Sequence, residues 1–395
     1  MAGPLTGIRV LDLSRVLAGP YASMVLADLG AEVIKVELPG IGDEARGFGP
    51  FYQGESAYFM SVNRGKKGVT IDLRKPRGSE LVKGLAAKCD VLLENFRPGT
   101  MERFGLDYET LRAVNPALIY ASISGFGQTG PYSAQAAYDA IVQGISGIVS
   151  ITGSPDGPPV RVGTSIGDLS AALFTVIGIL SALYARGWTG KGQHLDIAML
   201  DTLVAFLENA VVRYTATGEI PKPLGSRHPA ITPFDFFETS DGYLVIAAGN
   251  DALWRKLCEV LELEGLIDDE QFCTNAKRTE NYEKLRPLLV QKLGTKTTEK
   301  WVDLLGGAGV PCGPINTIDQ VVHDAHVNAR DMIIDLEHPK GENLKIAGSP
   351  LKFSEDAVEL KKSAPLLGEH TDEVLGDIVA LSESEIEQLR KEGVI

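Results

Sequence analysis

Three observations predict an α/β fold with a large first domain and a smaller α+β second one. Short β-like runs alternate with amphipathic helical stretches over the first 125 residues, the pattern of parallel strands covered by helices. A loop at 218–232 carries Pro221, Pro223, Gly225 and Pro229 and no apolar periodicity, which marks a domain boundary. Beyond it one hairpin precedes several helices. A chain of 395 residues fits two domains better than one, since single cores cluster near about 100–150 residues.

Taken in order, residues 8–13 read as a strand, 21–29 as a helix and 32–37 as a strand with Val33, Ile34 and Val36. Further β-like runs are 69–73, 90–94 and 118–122, with helices at 78–87 and 108–113 between them. Residues 140–150 and 169–185 are long apolar stretches expected as central helices, and 200–214 continues as helix. The most apolar segment, 171–185, falls short of the roughly 20 residues that span a bilayer, so it reads as a buried core helix. After the loop, 234–238 and 243–248 flank Asp241-Gly242, a hairpin signal. Helices follow at 251–261, 282–293 and 300–305, and 310–315 and 332–337 look extended. Ser382 with Glu385 forms a capping box that opens a last helix.

Composition removes several function classes. With 38 basic and 52 acidic side chains the net charge is −14, against a nucleic-acid coat or a binder of anionic membranes. A hydrophobic share of 44% excludes disorder as the main state. Cys89, Cys258, Cys273 and Cys312 are scattered without a CxxC, so neither a disulfide framework nor structural zinc is expected, and the setting reads as cytoplasmic. Residues 1–7 show no basic stretch before an apolar run, so no secretory signal is expected.

The opening strand–helix–strand invites a dinucleotide site, but the turn Ser14-Arg15-Val16-Leu17-Ala18-Gly19-Pro20 has one glycine where the pyrophosphate fingerprint has three. A literal GxGxxG at Gly125, Gly127 and Gly130 runs into Pro131-Tyr132 rather than a helix, and reads as a flexible loop or the wall of a pocket. Residues 61–104 hold ten basic and five acidic side chains, net +5, Lys66 and Arg74 among the cations. Such a run is either a solvated face or a site for a phosphorylated ligand. Asn95-Phe96-Arg97-Pro98-Gly99 follows a strand, where ligands of open α/β sheets bind, so Arg97 and Arg103 stand where an anion would be held. Asp168, in Gly163-Thr164-Ser165-Ile166-Gly167-Asp168, heads an apolar helix. It reads as an N-cap, as a nucleophile or base kept ionised by the helix dipole, or as both. No GxSxG, no HExxH and no His ligand spacing is present, so no metal site is expected.

Asp168 with its glycine, joined to VLDLSRVLAGPYASMVLADLGAEVIKVE (10–37), SVNRGKKGVTIDL (61–73), DVLLENFRPGTMERFGLDY (90–108), GDLSAAL (167–173) and TGKGQHLDIAMLD (189–201), resembles the class III CoA-transferases. DGYLVIAAGNDALWRKLC (241–258), GVPCGPINT (309–317) and PLLGEHTDEVL (365–375) extend the resemblance over nearly the whole chain. It implies a Rossmann-like large domain at 1–220, a small domain at 221–330, and a C-terminal segment at 331–395 returning to the large domain. It implies a homodimer interlocked like ring links, a heteromer with a homologous subunit being the other arrangement, and no nucleic-acid or membrane partner. No metal or bound cofactor is implied, and coenzyme A enters as a substrate.

By the same resemblance Asp168 is the nucleophile, passing through a mixed anhydride and an aspartyl-CoA thioester. Arg97 and Arg103 contact CoA, Val16 and Ala18 line its pocket near the thioester, and Tyr138 falls on the substrate side. Lys66 and Arg74 join the CoA-binding set on charge. Backbone donors near Gly167 are expected to stabilise oxyanions. One glycine in Ala247-Ala248-Gly249-Asn250, and Leu17 in place of a glutamine, depart from the formyl-CoA transferases, and Gly127-Gln128-Thr129-Gly130 lacks the histidine of the racemases. The pattern is most similar to succinyl-CoA:dicarboxylate transferases. Arg46, or Arg227 with His228, is the expected anchor for a far carboxylate. The alternatives are a formyl-CoA/oxalate-type transferase and a 2-methylacyl-CoA racemase or epimerase.

Overall fold

The computed structural model describes residues 3–338, 341–355 and 363–395. They divide into two compact units. The first is Met1–Ile148 with Arg161–Val212 and Ala325–Ile395; the second is Val149–Val160 with Arg213–Asp324.

The first unit is built on β1 (Arg9–Asp12), β2 (Glu32–Glu37), β5 (Lys67–Thr70), β6 (Val91–Glu94), β7 (Ile119–Ser124) and β8 (His194–Ala198). A small hairpin of β3 (Phe51–Tyr52) and β4 (Glu55–Ser56) lies between β2 and β5 in the chain. The six strands pair in parallel in the order β5-β2-β1-β6-β7-β8. The winding runs outward from β1 in one direction and resumes from β6 in the other, so β1 and β6 flank the switch point, beyond whose carboxyl ends ligands bind in open α/β sheets.

Side chains alternate between the two faces of these strands. Val10, Val33, Val91, Leu93, Ile119 and Ala121 pack on one face, and Leu11, Ile34, Leu92 and Tyr120 on the other. Both faces are covered, which is why the runs read as continuously apolar. The helices in chain order are α1 (Ala18–Asp28), α2 (Ala57–Asn63), α3 (Pro76–Ala86), α4 (Thr100–Arg103), α5 (Tyr108–Val114), α6 (Asp139–Ser146), α7 (Ile166–Thr189), α8 (Met199–Phe206) and α9 (Glu208–Thr217).

Several boundaries differ from expectation for identifiable reasons. The strand expected at 69–73 is Lys67–Thr70; beyond it Asp72 N–H turns to the carbonyl of Val394 near the C-terminus. β8 carries little strand signal in the sequence, because its alternation is only five residues long and includes His194 and Asp196. The stretch 200–214 is two helices, broken at Leu207. Helix α7 has 24 residues and is not wholly buried: Leu173, Phe174, Ile177, Tyr184 and Trp188 are exposed. Among the described residues it is the one helix apolar and long enough to cross a membrane, by length and composition alone.

In the second unit β9 (Phe234–Glu238), β10 (Tyr243–Ala247) and β11 (Cys312–Pro314) form an antiparallel sheet, the first two joined through Asp241-Gly242. It packs with α10 (Asp251–Leu261), α12 (Tyr282–Leu293) and α13 (Thr298–Gly307) around Trp254, Leu257, Leu289 and Trp301; α11 (Asn275–Glu280) and α14 (Ile318–His323) complete the unit. The chain re-enters the first unit through α15 (Ala325–Ala329) and the ribbon β12 (Ile333–Leu336) and β13 (Leu344–Ala347). Helices α16 (Thr371–Asp377) and α17 (Glu383–Lys391) put Leu375 and Leu389 into the sheet's second face. Ser382 and Glu385 cap α17 reciprocally.

Candidate active site

Asp168 lies in the first turn of α7, whose N-cap is Ser165, so it is the third helical residue and not the cap. The turn is fixed from α6. Asp139 accepts the N–H of Gly167 at 2.9 Å and the side-chain amide of Gln143 at 2.7 Å, while the Gln143 carbonyl oxygen accepts from Val162 N–H at 2.9 Å. A Cβ at position 167 would stand 2.9 Å from Val142 and 3.1 Å from Asp139, so only glycine lets α6 approach this closely. The Gly167 N–H is therefore already bonded, which removes it from the expected oxyanion donors.

The charge state of Asp168 also departs from expectation. Burial, and after it the charge of Asp139, raise its pKa from 3.8 to about 7. A helix dipole is worth about 0.3–1 kcal/mol at an exposed site and is outweighed here by desolvation and a like charge. Close to neutrality this carboxylate is poised between acid and base forms, and once ionised it is more basic than an ordinary aspartate. Tyr58 on α2 senses the same charges: burial first, then Asp168, Asp43 and Asp139, push its hydroxyl up to about 12, so it stays a neutral donor.

Asp168 opens into a cavity of about 140 Å³ beyond the ends of β1, β6 and β7. Val16, Leu17, Ala18, Asn95, Arg97 and Tyr138 share its wall. Helix α1 begins there without a side-chain cap and without an acid in its first turn. The N–H groups of Leu17 and Ala18 meet no acceptor among the described residues. Gly19 is needed at this start, since a Cβ would fall 2.2 Å from that of Ser14. Pro20 costs the helix nothing, because first-turn N–H groups have no intrahelical partner. A second cavity, about 300 Å³, meets the first at Arg15, Glu44 and Phe96 and is lined by Leu38, Ile41, Ile71, Leu73, Arg74 and Phe104. A third cavity, about 370 Å³, is lined by Arg9, Glu32, Lys67 and Glu373, already ion-paired among themselves.

Of the residues expected at the site, Asp168, Val16, Ala18, Arg97 and Tyr138 come together in one cavity. Arg74 lines the second and is ion-paired with Asp72 at 2.8 Å. Arg103 bonds Thr100 and lines neither. Lys66 is fully buried and bonds Asp12, Asn63 and the Pro20 carbonyl, so it presents no charge to a phosphate. Arg46 makes a two-pronged bond to Glu37, both distances 2.7 Å, donates to the Pro365 carbonyl at 3.1 Å, lies over the Phe59 ring and lines neither cavity, so it does not stand where a substrate carboxylate would be held. His228 and Arg227 belong to the second unit. There His228 stacks on Phe234 and accepts from Ala230 N–H, and Arg227 lies over Tyr282 and donates to the Thr279 carbonyl. Gly125 lines the Asp168 cavity, and Gln128 N–H bonds Asp196, so the first glycine of the loop is pocket wall and the loop behind it is tied to β8.

Sequence reasoning missed the buried ions under the β1–α1 turn. Asp12 accepts from Ser14, Ser23 and Lys66. Burial raises its pKa, but Lys66, Lys35 and the two hydroxyls outweigh burial and hold it at about 2. Burial draws Lys66 down to about 8 against the pull of Asp12, so both remain charged at neutral pH. Lys35 pairs with Asp43 at 2.9 Å, both side chains shielded from solvent. A lysine inside the run Glu32–Glu37, otherwise apolar at its centre, was the visible signal.

A sequence model described as CoA-transferase family III matches residues 5–371. The succinyl-CoA:glutarate CoA-transferase of Mus musculus is 43% identical over 99% of this chain and 90% of its own length. The acetyl-CoA:oxalate CoA-transferase of Acetobacter aceti is 44% identical over 93% of this chain and 94% of its own. The crystal structure of a CAIB/BAIF family protein from Brucella suis superposes with a TM-score of 0.85 at 42% identity, covering 96% of this chain and 100% of that one.

Proposed function

The chain belongs to CoA-transferase family III, and from that premise we propose that it carries CoA from succinyl-CoA to a dicarboxylic acid through Asp168. The observation that carries the proposal is the pairing, in one cavity at the sheet's switch point, of Asp168 with the uncapped head of α1. The likeness to a succinyl-CoA:glutarate CoA-transferase supports a dicarboxylate acceptor.

The Asp168 carboxylate attacks the thioester carbon and expels CoA thiolate, giving an aspartyl–succinyl anhydride. The thiolate then attacks the Asp168 carbonyl and releases succinate, leaving an aspartyl-CoA thioester. The acceptor carboxylate attacks that carbonyl, re-forming an anhydride and the thiolate. The thiolate takes the acceptor's acyl carbon and frees Asp168. No proton is gained or lost in this cycle, so no general acid or base is required, and every bond is made by a carboxylate or a thiolate. The site must supply an ionised Asp168, donors for each tetrahedral oxyanion and exclusion of water. The N–H groups of Leu17 and Ala18 are the donors in this reading, in place of Gly167. Arg97, at the Asp168 cavity, serves the phosphates of CoA, with the adjoining cavity, where Arg74 is held by Asp72, available for the rest of the molecule. CoA is a substrate, and no resident cofactor has a step to perform.

The open apolar face of α7 is where a second copy would pack, consistent with the homodimer implied by the family resemblance; native mass measurement reads this directly. Incubation with succinyl-CoA and a panel of mono- and dicarboxylic acids, with CoA esters read by mass, tests the substrate reading. Glutarate-type esters are expected. Transfer to oxalate but not to longer dicarboxylates favours the second reading, an oxalate-type transferase, which the likeness to an acetyl-CoA:oxalate CoA-transferase supports. CoA on the peptide holding Asp168 after trapping tests the intermediate; an unmodified peptide under conditions that label another family III transferase counts against it.

A further inference from the structure

Val16 adopts φ +66°, a left-handed conformation strained for a β-branched residue, at the wall of the Asp168 cavity. Glycine would take this conformation without cost, so something must hold valine there. The Asp43 carboxylate accepts the Val16 N–H, its oxygens at 3.0 and 3.2 Å. The same carboxylate accepts Ala45 N–H at 2.9 Å and the Lys35 ammonium at 2.9 Å. Lys35 reaches the turn a second time, donating to the Ser14 carbonyl at 2.9 Å. From the other side, Asn95 accepts Arg15 N–H at 2.9 Å and donates to the Arg15 carbonyl at 2.8 Å. Behind Asp43, Glu37 accepts its N–H at 3.0 Å and is itself fixed by Arg46. The backbone of residues 14–16 is thus gripped at Ser14, Arg15 and Val16, immediately before the free N–H groups of Leu17 and Ala18.

We propose that Asp43, seated on Lys35, is a positioning residue for transfer. It fastens Val16 in its left-handed conformation and so aims the head of α1 at the acyl carbon bound beside Asp168. This rests on the reading that transfer occurs in the Asp168 cavity. Misplacing a reacting group or donor by about 1 Å costs on the order of 10²-fold in rate, so the grip acts on turnover more than on substrate affinity.

The test uses the full chain with whichever donor and acceptor the wild type turns over fastest. Asp43→Ala is made alone and with Lys35→Met, which removes the buried ammonium together with its counter-charge. Both are also made in a Val16→Gly background. With valine at position 16, kcat is expected to fall at least about 30-fold with less than about threefold change in KM for acyl-CoA. With glycine there, Asp43→Ala paired with Lys35→Met should cost less than about threefold, because glycine enters the left-handed conformation without strain and no charge is stranded. Equal losses in the two backgrounds, or wild-type kcat in folded Asp43→Ala, overturn the proposal. Amide exchange on the unmodified protein adds a test that needs no variant: Val16 N–H must exchange slowly while Leu17 and Ala18 exchange fast, and fast exchange at Val16 also overturns it. A folded Asp168→Asn that still turns over defeats the cavity reading instead. Wild-type kcat in Asp43→Ala beside a dead Asp168→Asn defeats this inference alone.

Discussion

Two helices point their N-termini into one cavity, and they are built in opposite ways. The head of α7 carries Asp168 and has its Gly167 N–H taken by Asp139. The head of α1 carries Leu17, Ala18 and Gly19, with no cap, no acid and N–H groups left open. One head supplies negative charge and the other supplies donors. A capping side chain at position 17 would have bonded the Gly19 N–H, stabilised α1 by about 1 kcal/mol and placed an acceptor oxygen beside the open N–H groups of Leu17 and Ala18. The missing cap is therefore a local loss of stability that leaves chemistry available, the exchange expected at functional sites.

Removing the charge from the α7 head should have the largest effect. Asp168→Asn is expected to lower turnover by at least about 10³-fold while circular dichroism stays native. Near-normal turnover in the folded variant would erase the distinction between the two heads. Next comes the acid behind that head. Activity should fall about tenfold per pH unit below about 7, the pKa of Asp168, and level off above it. Asp139→Asn removes a like charge, so this acid limb should move to lower pH and the plateau should drop several-fold; an unmoved limb in the pH profile of kcat/KM contradicts the assignment.

Arg97 lies at the same cavity but belongs to neither head. Arg97→Ala is expected to raise KM for acyl-CoA about tenfold with kcat changed less than about threefold, since a phosphate contact binds ground and transition states alike. A drop in kcat at constant KM would instead bring Arg97 into the reacting group. The smallest effect is on stability. Because the folded-state pKa of Asp168 lies above its unfolded value, the wild type loses stability as pH rises from the ordinary carboxylate range to about 7. Asp168→Asn escapes this loss. Its Tm should exceed that of the wild type by a few degrees above pH 7, and the gap should close toward about pH 4.

Much of this arrangement was legible in the residues. Alternation gave the strands at 32–37 and 234–238, Asp241-Gly242 gave its hairpin, and Ser382 with Glu385 gave the last helix. Asp168 stood out as an acid at the head of an apolar helix. Side-chain pairing was not legible. Between Arg64 and Arg103 the cations look alike in sequence, yet Arg64, Lys66, Lys67 and Arg74 pair with acids while Arg97 borders the cavity. The acids they meet include Asp12, Asp28 and Glu32, more than thirty residues away, and no local pattern records such a partner. The raised pKa of Asp168 was hidden likewise, because its burial and then the charge of Asp139, on another helix, arise only in the fold.

The buried ions beneath residues 12–16 have a consequence for how such a chain can change. Asp12, Lys35, Asp43 and Lys66 share bonds with one another and with the turn, so replacing any one strands a charge away from water. A change at any one of the four is therefore expected to cost stability before it can serve new chemistry. A library seeking a new acceptor acid should leave these four positions untouched and vary Gln135 and Tyr138, which line the same cavity and make no hydrogen bond to the turn. The cavity thus combines a turn held by buried charge pairs with lining residues that carry no such charge, and changes at the latter are expected to cost less stability.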